Sequence, residues 1–452
     1  MKIRLFILIV IAALALNTAT AQNKPNIIFI QADDLGYGDL SCYGQQKFKT
    51  PNIDSLAAEG LRFTQYYAGS TVCAPSRSAL MTGQHTGHTR IRGNARHPLL
   101  PEDVTVAEVM KSAGYKTGLI GKWGLGEAGT AGVPNKQGFD YFFGYLNQRH
   151  AHNYYPAFLW RNEEQVKLRN VVPDEDKEGA GNSTNRVDYT HDLIAEESLK
   201  FVERNSGSPF FLYLAFTIPH ANNEAKNKGM EVPDLGEFAV RDWPDPEKAK
   251  AAMITRMDRD VGRLMALLKK LGIDDNTIIF FTSDNGPHRE GGADPNFFDS
   301  NGPLKGIKRD LYEGGIRVPM IARWPKRIKA GTTSGQVWAH WDFLPTAAEI
   351  TGVKPSANID GISMFNALLG KRQRNHDFLY WEFHERGFAQ SVRMGNWKAV
   401  RKGLDSPIEL YDLKTDLGEE KNVSSKHPDV VKRIEDYLKT ARAESELWPV
   451  KR

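Results

Sequence analysis

Apolar runs alternate with helix-like patterns along most of this chain. The runs at 26–30, 209–214 and 277–281 lack the polar alternation of a half-exposed strand, and residues 116–120 form a fourth predicted strand. Such runs are typical of parallel strands that are buried on both faces. Between them, apolar residues recur at the spacing of one helix face. The alternation predicts an α/β fold, a mixed and mostly parallel sheet flanked by helices.

The pattern changes after about Leu369. Short segments such as 378–381 and 397–400 are separated by Gly and Asn, which predicts a small antiparallel sheet, and a terminal helix is predicted over 430–443. We therefore predict a large domain at 22–369 and a smaller α+β subdomain at 370–452.

The first residues have the features of a secretory signal peptide. Lys2 and Arg4 precede an apolar run that is short for a bilayer, and a small-residue cleavage site ends at Ala21. We expect a signal peptide at 1–21, export to the periplasm or medium, and no stable membrane anchor. Loss of the two basic residues lowers the formal charge from +4 to +2, a balance that argues against nucleic-acid binding.

Carboxylates directly follow two of the predicted strands. Asp33 and Asp34 come after the run at 26–30, and Asp284 and Asn285 come after the run at 277–281. Carboxyl ends of parallel strands are where α/β sheets bind ligands, although a solvated turn is the alternative. Adjacent carboxylates converge only if the chain turns there, which the nearby glycines permit. Three carboxylates and an amide oxygen predict a site for Ca²⁺, with Mg²⁺ as the alternative.

Cys42 and Cys73 are the only cysteines of the chain. In an exported protein they are candidates for one disulfide, but a single bridge adds little to a core of this size. A thiolate is a soft ligand that does not suit the predicted oxygen-rich site, and a nucleophilic Cys-His pair stays open.

The segment 73–83, CAPSRSALMTG, resembles the signature of the type I sulfatases. In that family a formylglycine-generating enzyme oxidises the cysteine to Cα-formylglycine. The hydrated aldehyde is the nucleophile and a calcium ligand. The resemblance therefore implies that Cys73 is modified and that it joins Asp33, Asp34, Asp284 and Asn285 at the metal.

Further matches to this family follow in the family's order over nearly the whole chain. They imply an alkaline phosphatase-like architecture, a catalytic sulfatase domain at 22–369, and hydrolysis of sulfate monoesters. The matching segments are Asp33-Asp34, Gly121-Lys122-Trp123, Pro219-His220, Asp284-Asn285, Lys308 before 313–317 (EGGIR), and 409–413 (ELYDL).

The matches also imply roles for four further residues. Arg77, Lys122 and Lys308 offset the repulsion between an anionic ester and an anionic nucleophile. His220 is the candidate general acid for the leaving alcohol. Gly124 departs from the family, because a histidine that contacts the formylglycine hydroxyl usually stands there. His288 is a possible substitute; its alternatives are a substrate contact or an ordinary loop residue.

Polar and aromatic side chains near these motifs suit a sugar, since they offer hydrogen bonds and flat apolar faces. They can instead have a structural role and hold neighbouring loops together. The resemblance implies a sulfated carbohydrate, with a galactose-type sugar as the more specific expectation. A phosphomonoester or phosphonate hydrolase and a glycan-binding protein without turnover are the rival functions. The predicted substrate contacts are His150, His152, His288, Arg289, Trp381 and His384.

Overall fold

A computed structural model describes residues 24–355, 358–385 and 387–450 of the chain. The predicted signal peptide at 1–21 lies outside the described residues. Among the described helices, none is both long enough and apolar enough to cross a bilayer.

Strands and helices alternate through the large domain, and the C-terminal part carries four strands and a helix. The strands are β1 Asn26–Ala32, β2 Leu61–Tyr67, β3 Lys116–Lys122, β4 Tyr141–Tyr145, β5 Phe158–Arg161, β6 Glu164–Lys167, β7 Phe210–Ala215, β8 Thr277–Ser283, β9 Arg317–Arg323, β10 Thr332–Ser334, β11 Trp338–Ala339, β12 Leu379–Phe383, β13 Ala389–Met394, β14 Trp397–Arg401 and β15 Glu409–Asp412. The α-helices are α1 Pro51–Ala58, α2 Cys73–Thr82, α3 Val106–Ser112, α4 Thr190–Asn205, α5 Asp245–Lys270, α6 Glu313–Ile316, α7 Phe343–Thr351, α8 Phe365–Leu368 and α9 Pro428–Leu438.

The large sheet has the strand order β10-β2-β9-β8-β1-β7-β3-β4-β5-β6, with β11 beside β2. Strands β8, β1, β7, β3 and β4 run parallel to one another. Strand β9 is antiparallel to both of its neighbours, and β5 and β6 form an antiparallel edge. The sheet is therefore mixed and mostly parallel, as predicted.

The central strand β1 shows why its sequence has no polar alternation. Ile28 and Ile30 lie in one hydrophobic core, and Ile27 and Phe29 lie in the core on the other face of the sheet. Helices α1, α4 and α5 contribute to the first core, whereas α2, α3 and α7 contribute to the second. Both faces are covered at these four positions, so each of them favours an apolar side chain.

The register of the parallel strands sets where the polar residues emerge. Ala32 of β1 pairs with Ser283 of β8, and Gln31 of β1 pairs with Ala215 of β7. Ala215 also pairs with Gly121 of β3. The four strands thus end at nearly one level, and the residues that follow them meet at one edge of the sheet.

The C-terminal strands form an antiparallel sheet in the order β12-β13-β14-β15, and Ile434 and Leu438 of α9 pack in its core. The helix ends before the predicted limit of residue 443. The chain leaves it because Ala443 N donates to Gly87 O at 3.0 Å and Trp448 Nε1 donates to Arg90 O at 2.8 Å. Contacts to the large domain thus replace the last helical turn.

Candidate active site

The predicted catalytic and metal-binding residues converge at the carboxyl ends of four neighbouring strands. Asp33 and Asp34 follow β1, and Asp284 follows β8. Lys122 is the last residue of β3, and His220 lies in the loop after β7. These strands stand in the order β8-β1-β7-β3, so the fold brings together residues that are far apart in sequence.

The predicted turn after β1 is present, but its left-handed residue is Asp34 and not a glycine. Asp34 has a φ of 64°, which aspartate tolerates better than most residues. Gly36 serves a different purpose, because a Cβ there would lie 2.0 Å from Ser300 O. The turn lets the backbone N–H of Asp34 donate to Asp284 Oδ1 at 3.1 Å.

Cys73 is the first residue of helix α2 and is buried. Its Sγ donates to Asp33 Oδ1 at 3.4 Å, and the next N–H, that of Ala74, donates to Asn94 Oδ1 at 3.0 Å. The positive end of a helix favours a negative group at this position. Both cysteines are free, so the disulfide alternative is wrong.

An unmodified Cys73 is poorly suited to act as a thiolate here. Burial, and then the neighbouring charge of Asp33, raise the pKa of the thiol well above its ordinary value. A neutral thiol is a weak nucleophile. The site therefore argues against a Cys-His pair, although the side chain is well placed for another nucleophile.

Two cations hold Asp33 in its ionised form. Lys122 Nζ lies 2.6 Å from Asp33 Oδ2, and Arg77 Nη2 lies 3.4 Å from the same oxygen. Burial alone would raise the pKa of Asp33, but these neighbouring cations, Lys122 foremost, hold it well below its usual range. Arg77 also binds Asp284 Oδ2 at 2.8 Å, so one guanidinium joins two of the carboxylates.

Lys308 forms the other side of the site. Its Nζ lies 2.8 Å from Asp34 Oδ2, 3.1 Å from Glu290 Oε2 and 3.2 Å from His220 Nε2. Burial opposes the charge of Lys308, but Asp34 and other neighbours keep its pKa well above the ordinary value. This lysine is therefore a fixed positive charge beside the imidazole.

His220 is positioned by its backbone and by two other histidines. Its Nδ1 donates to Ala221 O at 2.7 Å, which leaves Nε2 facing Lys308. The ring of His152 stacks on it at 4.9 Å, and His288 lies 6.0 Å away. Burial and the charge of Lys308 lower the pKa of His220 to about 3. The free imidazole is neutral at pH 7.

The carboxylates fit a hard divalent cation. Burial and then the charge of Asp33 raise the pKa of Asp284 to about 7, so a bound cation would favour its ionised form. The Oδ1 of Asn285 is buried and has no hydrogen-bond partner among the described residues. Ligand atoms of Asp33, Asp34 and Cys73 lie within 4.8 Å of one another. Oxygen ligands of this kind are those that Ca²⁺ and Mg²⁺ prefer.

A neighbouring side chain fills the space beside Gly124, the position where the resemblance implies a histidine. Its φ is 84°, and a Cβ built there would lie 2.1 Å from Gln148 Nε2. The amide of Gln148 thus occupies the space that a side chain at 124 would need. His288 does not take that place, because its Nε2 donates to Pro219 O and its Nδ1 accepts from Glu290 N.

The residues predicted to contact the substrate lie in different environments. His152 lies in the site, with Nδ1 3.1 Å from Glu224 Oε2. Arg289 has a side chain that is 61% exposed. His384 joins an ion cluster through Glu382 Oε1 at 3.0 Å. Trp381 was predicted wrongly, because it has no exposed surface and its Nε1 donates to Ala68 O in the core.

The prediction for His150 is also wrong. The residue is fully buried, and its ring packs 4.9 Å from Tyr145 and 4.5 Å from Phe158. Burial lowers the pKa of His150 to about 4. The side chain therefore packs among aromatic residues of the core.

This burial predicts a measurable pH dependence of stability. Between about pH 6.5 and 4 the unfolded chain binds a proton at His150 that the native protein does not, so unfolding becomes easier as pH falls. The His150→Phe variant lacks this proton. Its free energy of unfolding, relative to wild type, is expected to rise by up to about 1.4 kcal/mol per pH unit as pH falls through this range.

Chemical denaturation at several pH values measures this difference. Phe158→Leu is the matched control, since it alters the same cluster without removing a titrating group. Its difference from wild type should stay constant with pH. Parallel curves for His150→Phe and wild type would contradict the assignment.

Four residues of the site were not among the sequence-based site predictions. Asn94 caps Ala74, Gln148 fills the space beside Gly124, Glu224 binds His152, and Glu290 bridges Lys308 to Arg309. Only Glu290 could have been found from the sequence, because it lies in the segment that carries His288 and Arg289. Asn94 and Gln148 lie on loops and Glu224 lies in a short 3-10 helix, all without a motif, and tertiary packing alone places them.

Comparison with known proteins identifies the family. The chain matches the sulfatase family over residues 25–353 and the family "N-sulphoglucosamine sulphohydrolase, C-terminal" over residues 306–444. It is 33% identical to N-acetylgalactosamine-6-sulfatase of Canis lupus familiaris, over 87% of this chain and 74% of that protein. It is 31% identical to N-acetylgalactosamine-6-O-sulfatase of Bacteroides thetaiotaomicron, over 93% of this chain and 94% of that protein.

A solved structure agrees with these matches. The fold superposes on Ps i-CgsB in complex with k-i-k-neocarrahexaose with a TM-score of 0.80 and 30% identity, over 95% of each chain. The resemblance drawn from CAPSRSALMTG and the alkaline phosphatase-like architecture are thereby confirmed. Because the first match spans more than half of the chain, this chain belongs to the sulfatase family.

Proposed function

We propose that this protein removes O-sulfate from a galactose-type sugar, with Cys73 acting as Cα-formylglycine and with calcium bound by the carboxylates. Sulfate-ester hydrolysis is the activity of its family. The observation that carries the proposal is the convergence of Cys73, at the start of α2, with Asp33, Lys122 and Lys308.

The charges of the site suit an anionic ester. Asp33, Asp34 and Asp284 are balanced by Arg77 and two lysines, all of them buried. A bound Ca²⁺ would be held by Asp33, Asp34, Asp284 and Asn285, and it supplies positive charge that stabilises the anion as charge develops on it. With the calcium ion added, the positive charge of these groups exceeds the negative charge of the three carboxylates. Lys122 and Lys308 then flank the reacting group from two sides.

The nucleophile stands where the chain can orient it. The hydrated aldehyde of formylglycine supplies the attacking oxygen. Helix α2 holds residue 73 rigidly, and Asp33 Oδ1 already accepts a hydrogen bond from this side chain. A fixed position of this kind favours in-line attack at sulfur.

The leaving alcohol needs a proton, and His220 is placed to deliver one. Its Nδ1–H is committed to Ala221 O, so Nε2 is the atom that exchanges protons. Lys308 Nζ lies 3.2 Å from that nitrogen and donates a hydrogen bond to it. An anionic ester bound beside His220 would raise its pKa from about 3 and favour the acid form.

The names of similar proteins support a sugar substrate. Two relatives are named for N-acetylgalactosamine 6-sulfate, and Ps i-CgsB was solved with a neocarrahexaose. The experiment that tests the proposal is release of sulfate from the 6-sulfates and 4-sulfates of galactose and N-acetylgalactosamine by modified enzyme with calcium. If the enzyme cleaves none of these sugar sulfates but cleaves phosphate or phosphonate esters, at rates orders of magnitude higher, the rival hydrolase is favoured.

Maturation and export form part of the proposal. The segment around Cys73 matches the sequence that a formylglycine-generating enzyme recognises, and residues 1–21 have the pattern of a cleaved leader. Mass analysis of the peptide that contains residue 73 and of the mature N-terminus tests both. A free thiol in protein from the native host that is inactive on sulfate esters would support glycan binding without turnover.

Removal of calcium should lower both activity and stability. Chelation by EDTA leaves Asp33, Asp34 and Asp284 close together without the cation, so we expect loss of turnover and a lower Tm. Restoring Ca²⁺ at 100 times its Kd should recover about 2.7 kcal/mol of stability, and Mg²⁺ should recover less.

Asn285→Ala is the matched variant for this experiment, because it removes the ligand whose Oδ1 has no partner among the described residues. It also removes the hydrogen bonds from Nδ2 to Asp34 Oδ1 and Gly286 O, so the response to calcium is compared and not the Tm alone. Its Tm should respond less to calcium than that of the wild type. A Tm and an activity that do not change when EDTA is added would contradict the metal assignment.

A further inference from the structure

Gln148 has an amide that the protein itself leaves unsatisfied. Both its Nε2 and its Oε1 are buried, and neither has a hydrogen-bond partner among the described residues. An amide buried in this way costs free energy unless a ligand or water completes its bonds. The amide lies where a side chain on Gly124 would be, and Gly124 is two residues after Lys122 in the sequence.

Gln148 borders a cavity of about 360 Å³ whose walls also include Asn94 and Gly124. Asn94 ties this cavity to the reaction centre, because its Oδ1 accepts from the N–H of Ala74, the residue after Cys73. The volume is within the range of about 300–1,000 Å³ that is typical of small-molecule pockets. The cavity therefore lies beside the start of the helix that carries Cys73.

The charges around the cavity are already paired. Arg96 contacts Glu178 and lies 3.7 Å from Glu127. Arg149 lies 2.8 Å from Asp176 and 3.8 Å from Glu178. These carboxylates neutralise the two guanidinium groups, so the cavity does not select a second anion. An uncharged polar ligand fits it better.

A free amide requires both an acceptor and a donor. Sulfate oxygens only accept hydrogen bonds, so a sulfate group would satisfy Nε2 and leave Oε1 unpaired. A sugar hydroxyl does both. We propose that Gln148, whose amide takes the space that a side chain at position 124 would fill, binds hydroxyl groups of the sulfated sugar and so helps determine specificity. This inference rests on the proposed function.

Binding to enzyme that cannot turn over tests this role. In a Cys73→Ala background, calorimetry compares the parent with added Gln148→Leu, which keeps the size of the side chain and removes its hydrogen bonds. The ligands are the four sugar sulfates of the panel above and inorganic sulfate, which has no ring. We expect Kd for the sugar sulfate that binds best to rise about tenfold, while Kd for inorganic sulfate changes less than twofold.

The other outcomes overturn the inference. An equal loss for both ligands would mean that the amide serves the anion or the nucleophile, and an unchanged Kd for both would mean that it serves packing alone. Gln148→Ala, measured in parallel, separates a loss of hydrogen bonds from a steric effect of leucine. If the parent binds none of the four sugars, the proposed substrate fails, and the role of Gln148 fails with it.

Discussion

Replacing Cys73 by Ala is expected to lower kcat/KM for sugar sulfates by about 10⁴-fold or more while leaving the fold intact. The substitution removes the only side chain at the start of α2 that can become the attacking group. It leaves Asp33 bound to Lys122 and Arg77, so the ion network that holds the strand ends together persists. Sulfate release and the circular dichroism spectrum measure the two effects.

Cys42→Ala is the matched control, because Cys42 is the other free cysteine and is only half-buried. Its activity should equal that of the wild type. Conversion of Cys73 to formylglycine must first be verified by peptide mass in the wild-type preparation. Activity that survives Cys73→Ala would disprove the assignment of the nucleophile.

Replacing His220 by Asn is expected to lower kcat for a sugar sulfate by about 10²–10⁴-fold, but to change kcat for 4-nitrophenyl sulfate much less. A sugar alkoxide leaves only with a proton, whereas nitrophenolate leaves without one. The amide of Asn can still donate to Ala221 O, the partner of His220 Nδ1, so the loop is preserved.

The contrast between the two substrates is the measurement that matters. A structural defect would slow both by a similar factor, and so would the loss of a group that acts on the nucleophile. Equal losses would therefore reject His220 as the general acid. The same contrast in Lys308→Ala would show whether the lysine acts through the imidazole, since its Nζ contacts His220 Nε2.

The chemistry of this site could be predicted from short segments of sequence. Asp33 and Asp284 each follow an apolar run, and a run buried on both faces marks a parallel strand whose carboxyl end carries ligands. The spacing of Cys73, Pro75 and Arg77 matches a family pattern over adjacent residues. Such signals are local, so one chain is enough to detect them.

The contacts of the substrate loops could not be predicted in this way. Trp381 and His150 have the chemistry of sugar-binding residues, but packing buries both completely. Gln148 has no motif around it and acquires its position only because Gly124 leaves a gap. Nearness in sequence to a catalytic motif does not determine whether a side chain faces the cavity or the core.

The amino-acid sequence by itself determined the α/β architecture, which depends on apolar periodicity, and the family, which depends on short motifs such as CAPSRSALMTG. The residues of the reaction centre are predictions drawn from those motifs. Only the tertiary structure decided which carboxylate shares which cation, that Asp34 makes the turn, and that Gln148 occupies the place of an absent side chain. These features arise where segments more than twenty residues apart meet. Their geometry follows from strand order and close packing, which no single segment encodes.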